Sequence, residues 1–110
     1  MSFYNLIIYI SIKKEICSQI IDCVSNITDV KKEDIFSDKK CVDIIEARCL
    51  IITYCKRYGI SNEYLMKLLN KKSTFAITHM LNQFEVYYNS SKIFKYYTIE
   101  LDNKLNNIFS

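Results

Sequence analysis

The sequence contains no proline and only one glycine, Gly59, among its 110 residues. Folds rich in strands need many tight turns, and proline and glycine are the residues that most often form them. Their scarcity therefore predicts an all-α fold of helices joined by short polar links. The length suits one domain with a single core and is too small for two. The content of 50% hydrophobic and 25% charged residues is typical of a soluble globular protein.

Long apolar runs are also missing. The most apolar stretch, residues 3–10, is too short to cross a bilayer and lacks the basic region and cleavage site of a signal peptide. We therefore expect no contact with a membrane. Residues 1–11 are predicted to be an N-terminal extension that either packs on the domain or contacts a second copy or another protein. So short a run does not distinguish helix from strand.

Residues with catalytic or metal-binding chemistry are few. The cysteines show no CxxC or zinc-ligand spacing, and the only histidine, His79, lies far from them in sequence. Their odd number and apolar surroundings predict small buried thiols in a reduced, cytoplasmic protein. His79 has no carboxylate or cysteine at a productive spacing, and one glycine cannot form a phosphate-binding loop. We expect no enzymatic activity, no metal and no cofactor. The cysteines are Cys17, Cys23, Cys41, Cys49 and Cys55.

Helical periodicity extends over residues 12–108. An apolar stripe from Ile12 to Ile27 predicts a first helix, and residues 28–37 predict a link that contains a short helix. Residues 41–57 are apolar on almost every side and predict the buried centre of a bundle. A last helix is predicted over residues 92–108. Its apolar stripe consists of Ile93, Tyr97, Leu101, Leu105 and Ile108.

One charge stands out in the central helix, because Arg48 lies on its apolar arc. A buried unpaired charge is costly, so Arg48 must reach solvent, pair with a carboxylate or meet a phosphate.

Gly59 follows this helix and fits a left-handed C-terminal cap. Ser61 then caps the next helix.

The most specific pattern covers residues 61–88, where a short helix, a basic turn and a long second helix follow one another. At 100° per residue, the second helix has an apolar inner arc and a polar outer arc. This layout predicts a helix-turn-helix, whose second helix enters the DNA major groove. The inner arc contains Ala76, Ile77, Met80, Leu81, Phe84, Tyr87 and Tyr88. The outer arc contains Thr74, Phe75, Thr78, His79 and Asn82.

Two residues of the outer arc limit how DNA would be contacted. Phe75 is a large apolar side chain on the polar side, where it either meets a thymine methyl or a sugar, or packs on the neighbouring helix. Glu85 lies farther along and would repel phosphates, so contacts should come from the first half of the helix.

The positive charge is concentrated around this pattern. Residues 39–79 hold eight Lys and Arg against three acids, for a net charge of +5. Residues 1–38 have a net charge of −2, and residues 80–110 are neutral. Such clustering is the electrostatic footprint of a nucleic-acid binder, although a solvated face of an ordinary domain gives the same pattern.

The order of these pieces resembles the C-terminal DNA-binding domain of the bacterial replication initiator DnaA, over roughly Ile12 to Leu105. The similarity lies in the V-x-x-x-T-x-V run at 24–30, Asp34-Ile35, Glu46-Ala47-Arg48, Ser61 and the I-T-H-M run at 77–80. It implies a Trp-repressor-like bundle. It also implies that Arg48 touches the DNA backbone, as the matching arginine does in that family.

The recognition segment departs from the family. The family pattern G-R-D-H-T-T-V-x-H-A corresponds here to K-K-S-T-F-A-I-T-H-M at residues 71–80. Lys72 replaces the family arginine, which keeps the charge but loses bidentate guanine recognition. His79 matches the family histidine. The initiator's ATPase module is absent from this sequence, so the chain is a stand-alone domain or a fragment.

The sequence therefore predicts one helical domain over residues 1–110, with the bundle at 12–108, that binds duplex DNA, with replication and transcription both open as its role. The alternative is a protein-interaction module on the same fold that has lost specific DNA binding. A homodimer or a protein partner is expected to use the N-terminal segment. The predicted major-groove residues are Lys71, Lys72, Ser73, Thr74, Phe75, Thr78 and His79. The predicted phosphate contacts are Lys39, Lys40, Arg48 and Lys56.

Overall fold

The computed structural model describes residues 2–109, and within that range the chain is all-α, without strands. The all-α fold class predicted from the scarcity of proline and glycine is confirmed. None of the described helices is long and apolar enough to span a membrane. The helices are α1 Phe3–Thr28, α2 Lys32–Ile35, α3 Val42–Arg57, α4 Asn62–Leu68, α5 Thr74–Asn82, α6 Phe84–Ser90 and α7 Lys92–Phe109.

Helix α3 is the centre of the bundle, as its apolar sequence predicts. Side chains from Ile44 to Cys55 are buried along most of its length, and α1, α2, α5 and α6 pack around it. The Tyr54 hydroxyl donates to Asp102 Oδ1 at 2.6 Å, which ties α3 to α7. Full burial of one large aliphatic side chain contributes about 1.5–3 kcal/mol, so packing around α3 is the main source of stability.

The helix ends on either side of residue 60 follow their local sequence signals. Gly59 adopts a left-handed φ of 82°, and its N–H donates to the Lys56 carbonyl at 3.0 Å. A residue with a Cβ is strained in this conformation, which explains the glycine. The Ser61 Oγ accepts from the Tyr64 N–H at 3.2 Å and caps α4. Both predicted caps are confirmed.

The N-terminal segment is the first part of a continuous α1. Residues 3–12 are exposed, and the apolar side chains among them are 42–78% accessible. The alternative in which this segment packs on the domain is therefore wrong. The buried part of α1 begins at Cys17 and continues through Ile20, Ile21 and Val24. The first ten residues of α1 thus present an apolar surface that the rest of the described residues, 13–109, do not cover.

The second helix of the predicted pair is interrupted, which the sequence periodicity did not indicate. A turn at Gln83 separates α5 from α6. The bend brings Phe84 and Tyr87 onto Phe94 of α7, with ring centroids 5.4 and 5.5 Å apart in edge-to-face geometry. Aromatic contacts of this kind contribute about 0.5–1.5 kcal/mol beyond burial, which favours the bend.

The predicted stripe of α7 is correct in its middle, at Tyr97, Leu101 and Leu105, and wrong at both ends, because Ile93 and Ile108 are exposed. Leu101 and Leu105 are buried, but Ile93 is 51% exposed while Phe94 is fully buried. Thr98 is buried beside Phe94 because its hydroxyl donates to the Phe94 carbonyl at 3.0 Å, within the helix. A threonine satisfied in this way can replace an apolar residue on the inner face.

Four of the five cysteines are buried, as predicted, and all five are free thiols. Cys41 is the exception, because it is exposed at the N-terminal end of α3. Cys17 and Cys55 face each other inside the core with 3.9 Å between their sulfurs. Burial raises the pKa of the Cys49 thiol to about 12. The hydrogen bond with Cys17, together with burial, raises the pKa of the Cys55 thiol as well.

We expect a thiol reagent to label Cys41 rapidly in the folded protein and the other four cysteines only after denaturation. The thiolate is the reacting species, and burial denies the reagent access to the other four thiols. Quantitative labelling by mass spectrometry, with and without denaturant, measures this difference. In a Cys41→Ser variant the rapid reaction should disappear, and its persistence would contradict the assignment.

Candidate nucleic-acid interface

The link between α4 and α5 is closed by backbone hydrogen bonds rather than by glycine. Asn70 adopts a left-handed φ of 55°, a conformation that asparagine tolerates better than most residues with a side chain. The Lys71 N–H then donates to the Met66 carbonyl at 2.8 Å, which ends α4. The chain can therefore turn sharply into α5 although the sequence has no glycine here.

Helix α5 is held against α3 by its inner side. Ile77 is fully buried, and the Cys49 thiol donates to the Met80 carbonyl at 3.3 Å. These contacts fix the rotation of α5 about its axis. The predicted inner arc is confirmed, because each of its residues is buried or half-buried.

The outer face of α5, defined as Lys72, Ser73, Phe75, Thr78, His79 and Asn82, is exposed. Phe75 is 78% exposed, so the alternative in which it packs on a neighbouring helix is wrong. Thr74 and Lys71 are half-buried at the margin of this face. The result is an uncovered surface of hydroxyl, imidazole and amide groups around one bare aromatic ring.

The hydroxyl of Thr78 already has partners within the protein. It donates to the Thr74 carbonyl at 3.3 Å and accepts from the Asn62 side-chain amide at 3.4 Å. Asn62 lies at the start of α4 and is a polar residue of this region that the sequence patterns did not select. Contact between Asn62 and Thr78 links the two helices on their solvent side.

Arg48 does not have the role that the sequence and the resemblance predicted. It is 2% exposed, and its guanidinium donates to four backbone carbonyls, two at the end of α2 and two in the loop between α2 and α3. The acceptors are Ile35 O at 2.8 Å, Lys39 O at 2.7 Å, Asp34 O at 3.1 Å and Ser37 O at 2.6 Å. The cost of burying the charge is offset by these bonds, so Arg48 is a loop clamp, and four of its five N–H groups are not free to contact a DNA phosphate.

The other predicted phosphate contacts differ in their availability. Lys39 is exposed but pairs with Asp34, with 3.0 Å between Nζ and Oδ1, and this hydrogen bond raises the Lys39 pKa. Lys56 is half-buried on α3, about 12 Å along the helix axis from Arg48. Lys40 is exposed and lies in none of the ion pairs of the described residues. Lys40 is therefore the most available of the four.

A cleft of about 300 Å³ between α3, α5 and α6 brings four of the predicted residues together. Two of its remaining residues are Gln83, at the turn after α5, and Tyr87, in α6. No pattern in the sequence indicates that they share a site with the lysines. We call it the α3–α5 cleft. Its residues are Lys40, Ile45, Arg48, Cys49, Lys71, His79, Met80, Gln83 and Tyr87.

The arrangement of the cleft changes the pKa of Lys71. Burial lowers its pKa, and the nearby charges of Arg48 and Lys40 lower it further, while Asp38 acts in the opposite direction. The cleft therefore concentrates positive charge at one end of α5.

Side chains that could bind a metal are not clustered in the part of the chain that the structure describes. Within residues 2–109, His, Cys, Asp and Glu side chains do not come together in a group of three that could hold a metal ion.

In comparisons with protein-family models, curated proteins and solved structures, nothing matches this chain.

Proposed function

We propose that the chain is a cytoplasmic DNA-binding domain that places the outer face of α5 in the major groove of duplex DNA. The observation that carries this proposal is the exposed outer face of a helix whose inner side is fixed to the core by Ile77 and by the bond from Cys49 to Met80. A recognition helix must be rigid relative to its domain so that a few side chains meet base edges in register.

The chemistry of that face fits base and sugar contacts. Ser73 and Thr74 lie at the first turn of α5, where recognition helices approach the bases most closely. Hydroxyl groups donate to or accept from either kind of base pair, and an exposed phenyl ring such as Phe75 can lie on a thymine methyl.

The charge distribution supports the same orientation. Lys71 and Lys72 precede α5, and Lys40 approaches from the loop before α3. Lysines at these positions would meet the phosphates that flank the groove, which supply most of the affinity of a small DNA-binding module. A single module of this size buries little surface and is expected to bind weakly alone.

The resemblance to the replication initiator's C-terminal domain supports a role in replication initiation as the specific form of this proposal. The departures at residues 72–76 argue that the DNA sequence recognised differs from the initiator's usual box, because the family's Asp-His-Thr-Thr set is replaced. Lys72 supplies charge without the paired donors that an arginine offers to guanine.

A protein-interaction module is the second candidate function. The exposed apolar start of α1, residues 3–12, favours it, because such a surface on a monomer usually marks a contact with a protein. The two functions use different surfaces and make different predictions for binding to nucleic acid.

We expect the affinity for a duplex oligonucleotide to fall steeply with salt. Arg48 is bonded to backbone carbonyls and Lys39 pairs with Asp34, so the predicted phosphate contacts that remain are Lys40, Lys56, Lys71 and Lys72. Each phosphate neutralised contributes about 0.9 to the slope. The logarithm of the association constant should therefore fall with the logarithm of the salt concentration with a slope of about −3 to −4. Fluorescence anisotropy over a salt series measures this slope.

The matched variants are Lys72→Ala and Lys104→Ala. Lys72 lies at the start of the outer face, whereas Lys104 lies on α7 and outside the proposed interface. Lys72→Ala should reduce the slope by about one unit and weaken binding to all sequences alike, while Lys104→Ala should leave both unchanged. Absence of binding at low salt would contradict the DNA proposal and favour the interaction module.

A further inference from the structure

The α3–α5 cleft has features of a binding site that contact with DNA does not require. Its lining includes the apolar side chains of Ile45, Cys49 and Met80, which we call its apolar floor, together with Tyr87. A volume of about 300 Å³ lies at the lower end of the range of small-molecule sites. Contact with the phosphates of a DNA backbone requires cationic side chains and hydrogen-bond donors but no apolar recess.

The cations at the cleft are not neutralised by the protein. Lys40, Lys71 and Arg48 take part in none of the ion pairs found among residues 2–109. The charges of Lys40 and Arg48 reach Lys71, and Asp38 is the acid that acts on both Lys71 and Arg48. Three cations close together in a partly desolvated recess repel one another, and an anion bound between them would relieve that repulsion.

Arg48 gives the cleft a buried and fixed donor. Its guanidinium has five N–H groups, and four of them bond to backbone carbonyls of residues 34–39. The remaining N–H, on Nη1, has no acceptor within the described residues, and Arg48 lines the cleft. Because the other four bonds immobilise the side chain, a ligand that accepts this bond does not have to order it.

We propose that the α3–α5 cleft binds a small phosphate monoester. Its phosphate group lies among Lys40, Lys71 and the free N–H of Arg48, and its organic part lies on the apolar floor beside Tyr87. A dianionic phosphate matches several cations better than a carboxylate does, and it offers enough acceptor oxygens for all three donors. This site does not depend on the proposed DNA binding.

The test uses phenyl phosphate as the probe and the full chain labelled with ¹⁵N. Titration is followed through backbone amide shifts of Lys71, His79 and Gln83 at constant ionic strength. We expect saturable shifts, and weaker binding of inorganic phosphate, which lacks the apolar part. Lys71→Gln should lower the affinity for phenyl phosphate by roughly tenfold or more, the usual effect of losing one hydrogen bond between charged groups.

Lys72→Gln is the matched control, because Lys72 is the neighbouring lysine, is exposed and does not line the cleft. It should change the affinity for phenyl phosphate less than twofold, within the range of weak surface electrostatics. Equal effects of the two substitutions would overturn the proposal, because they would show nonspecific attraction by surface charge. Amide spectra of both variants without ligand verify that each remains folded.

A duplex oligonucleotide separates the two sources of phosphate. If the duplex shifts the cleft amides in a Lys71-dependent manner and phenyl phosphate does not, the cleft contacts the DNA backbone and the monoester proposal is overturned. If phenyl phosphate binds and the duplex does not, the cleft proposal stands and the DNA proposal fails.

Discussion

An Arg48→Met variant is expected to lose about 3–5 kcal/mol of unfolding free energy, a large part of the 5–15 kcal/mol typical of a domain. The substitution removes the guanidinium that donates four hydrogen bonds. The carbonyls that lose this donor are those of Ile35, Asp34, Ser37 and Lys39. An unsatisfied buried carbonyl costs about 1–3 kcal/mol, and partial hydration of the loop reduces the sum. Urea unfolding followed by far-UV circular dichroism measures the loss.

Arg57→Met provides the matched control on the same helix. Arg57 is exposed, and its Nη1 lies 3.8 Å from Asp102 Oδ1, a surface pair worth about 1 kcal/mol or less. Its guanidinium also lies over the Tyr54 ring, 4.4 Å from the centroid, so a small loss is expected.

Arg48→Lys distinguishes the geometry of the clamp from its charge. Lysine keeps the charge but cannot reach carbonyls on several sides of the loop at once. We expect it to be nearly as destabilised as Arg48→Met. If Arg48→Met were as stable as Arg57→Met while its DNA affinity fell sharply, Arg48 would be a phosphate contact after all, and the loop-clamp assignment would be wrong.

The case of Arg48 illustrates which parts of this protein can be predicted from sequence. Position on an apolar arc revealed that its charge needed a partner, because helical periodicity fixes the direction of a side chain. The partners themselves are backbone carbonyls at the end of α2 and in the loop that follows it. Every residue carries a carbonyl, so no residue type in the sequence marks these as acceptors.

The helices and caps were predictable because their signals are local. The central helix, the Gly59 cap and the Ser61 cap depend on a few neighbouring residues each. The bend at Gln83 and the rotation of Ile93 out of the core depend instead on aromatic packing between α6 and α7. Such contacts join residues distant in sequence, and periodicity within one helix cannot report them.

The candidate site was predictable in its residue types but not in its shape. The exposed outer face of α5 follows from periodicity, since Phe75, Thr78 and His79 alternate with inner residues at helical spacing. The α3–α5 cleft does not, because the loop before α3, the link before α5 and the bend after it all contribute to its wall.

The second large effect is expected from Ile77→Ala, compared with Phe75→Ala two positions earlier. Ile77 is fully buried, so its truncation should cost about 2–5 kcal/mol of stability through lost burial and a residual cavity. Phe75 is 78% exposed, and its truncation should change stability by less than about 0.5 kcal/mol. Thermal and urea unfolding of both variants measure the difference.

The same pair separates support of the interface from contact with DNA. Phe75→Ala should weaken duplex binding at unchanged stability. The exposed phenyl ring packs little within the domain, so its removal costs mainly a contact with DNA. Ile77→Ala should weaken binding at temperatures where the domain unfolds and much less below them, because its side chain faces the core. If Phe75→Ala instead unfolded the domain while Ile77→Ala were tolerated, the orientation of α5 would be reversed, and with it the face proposed to enter the groove.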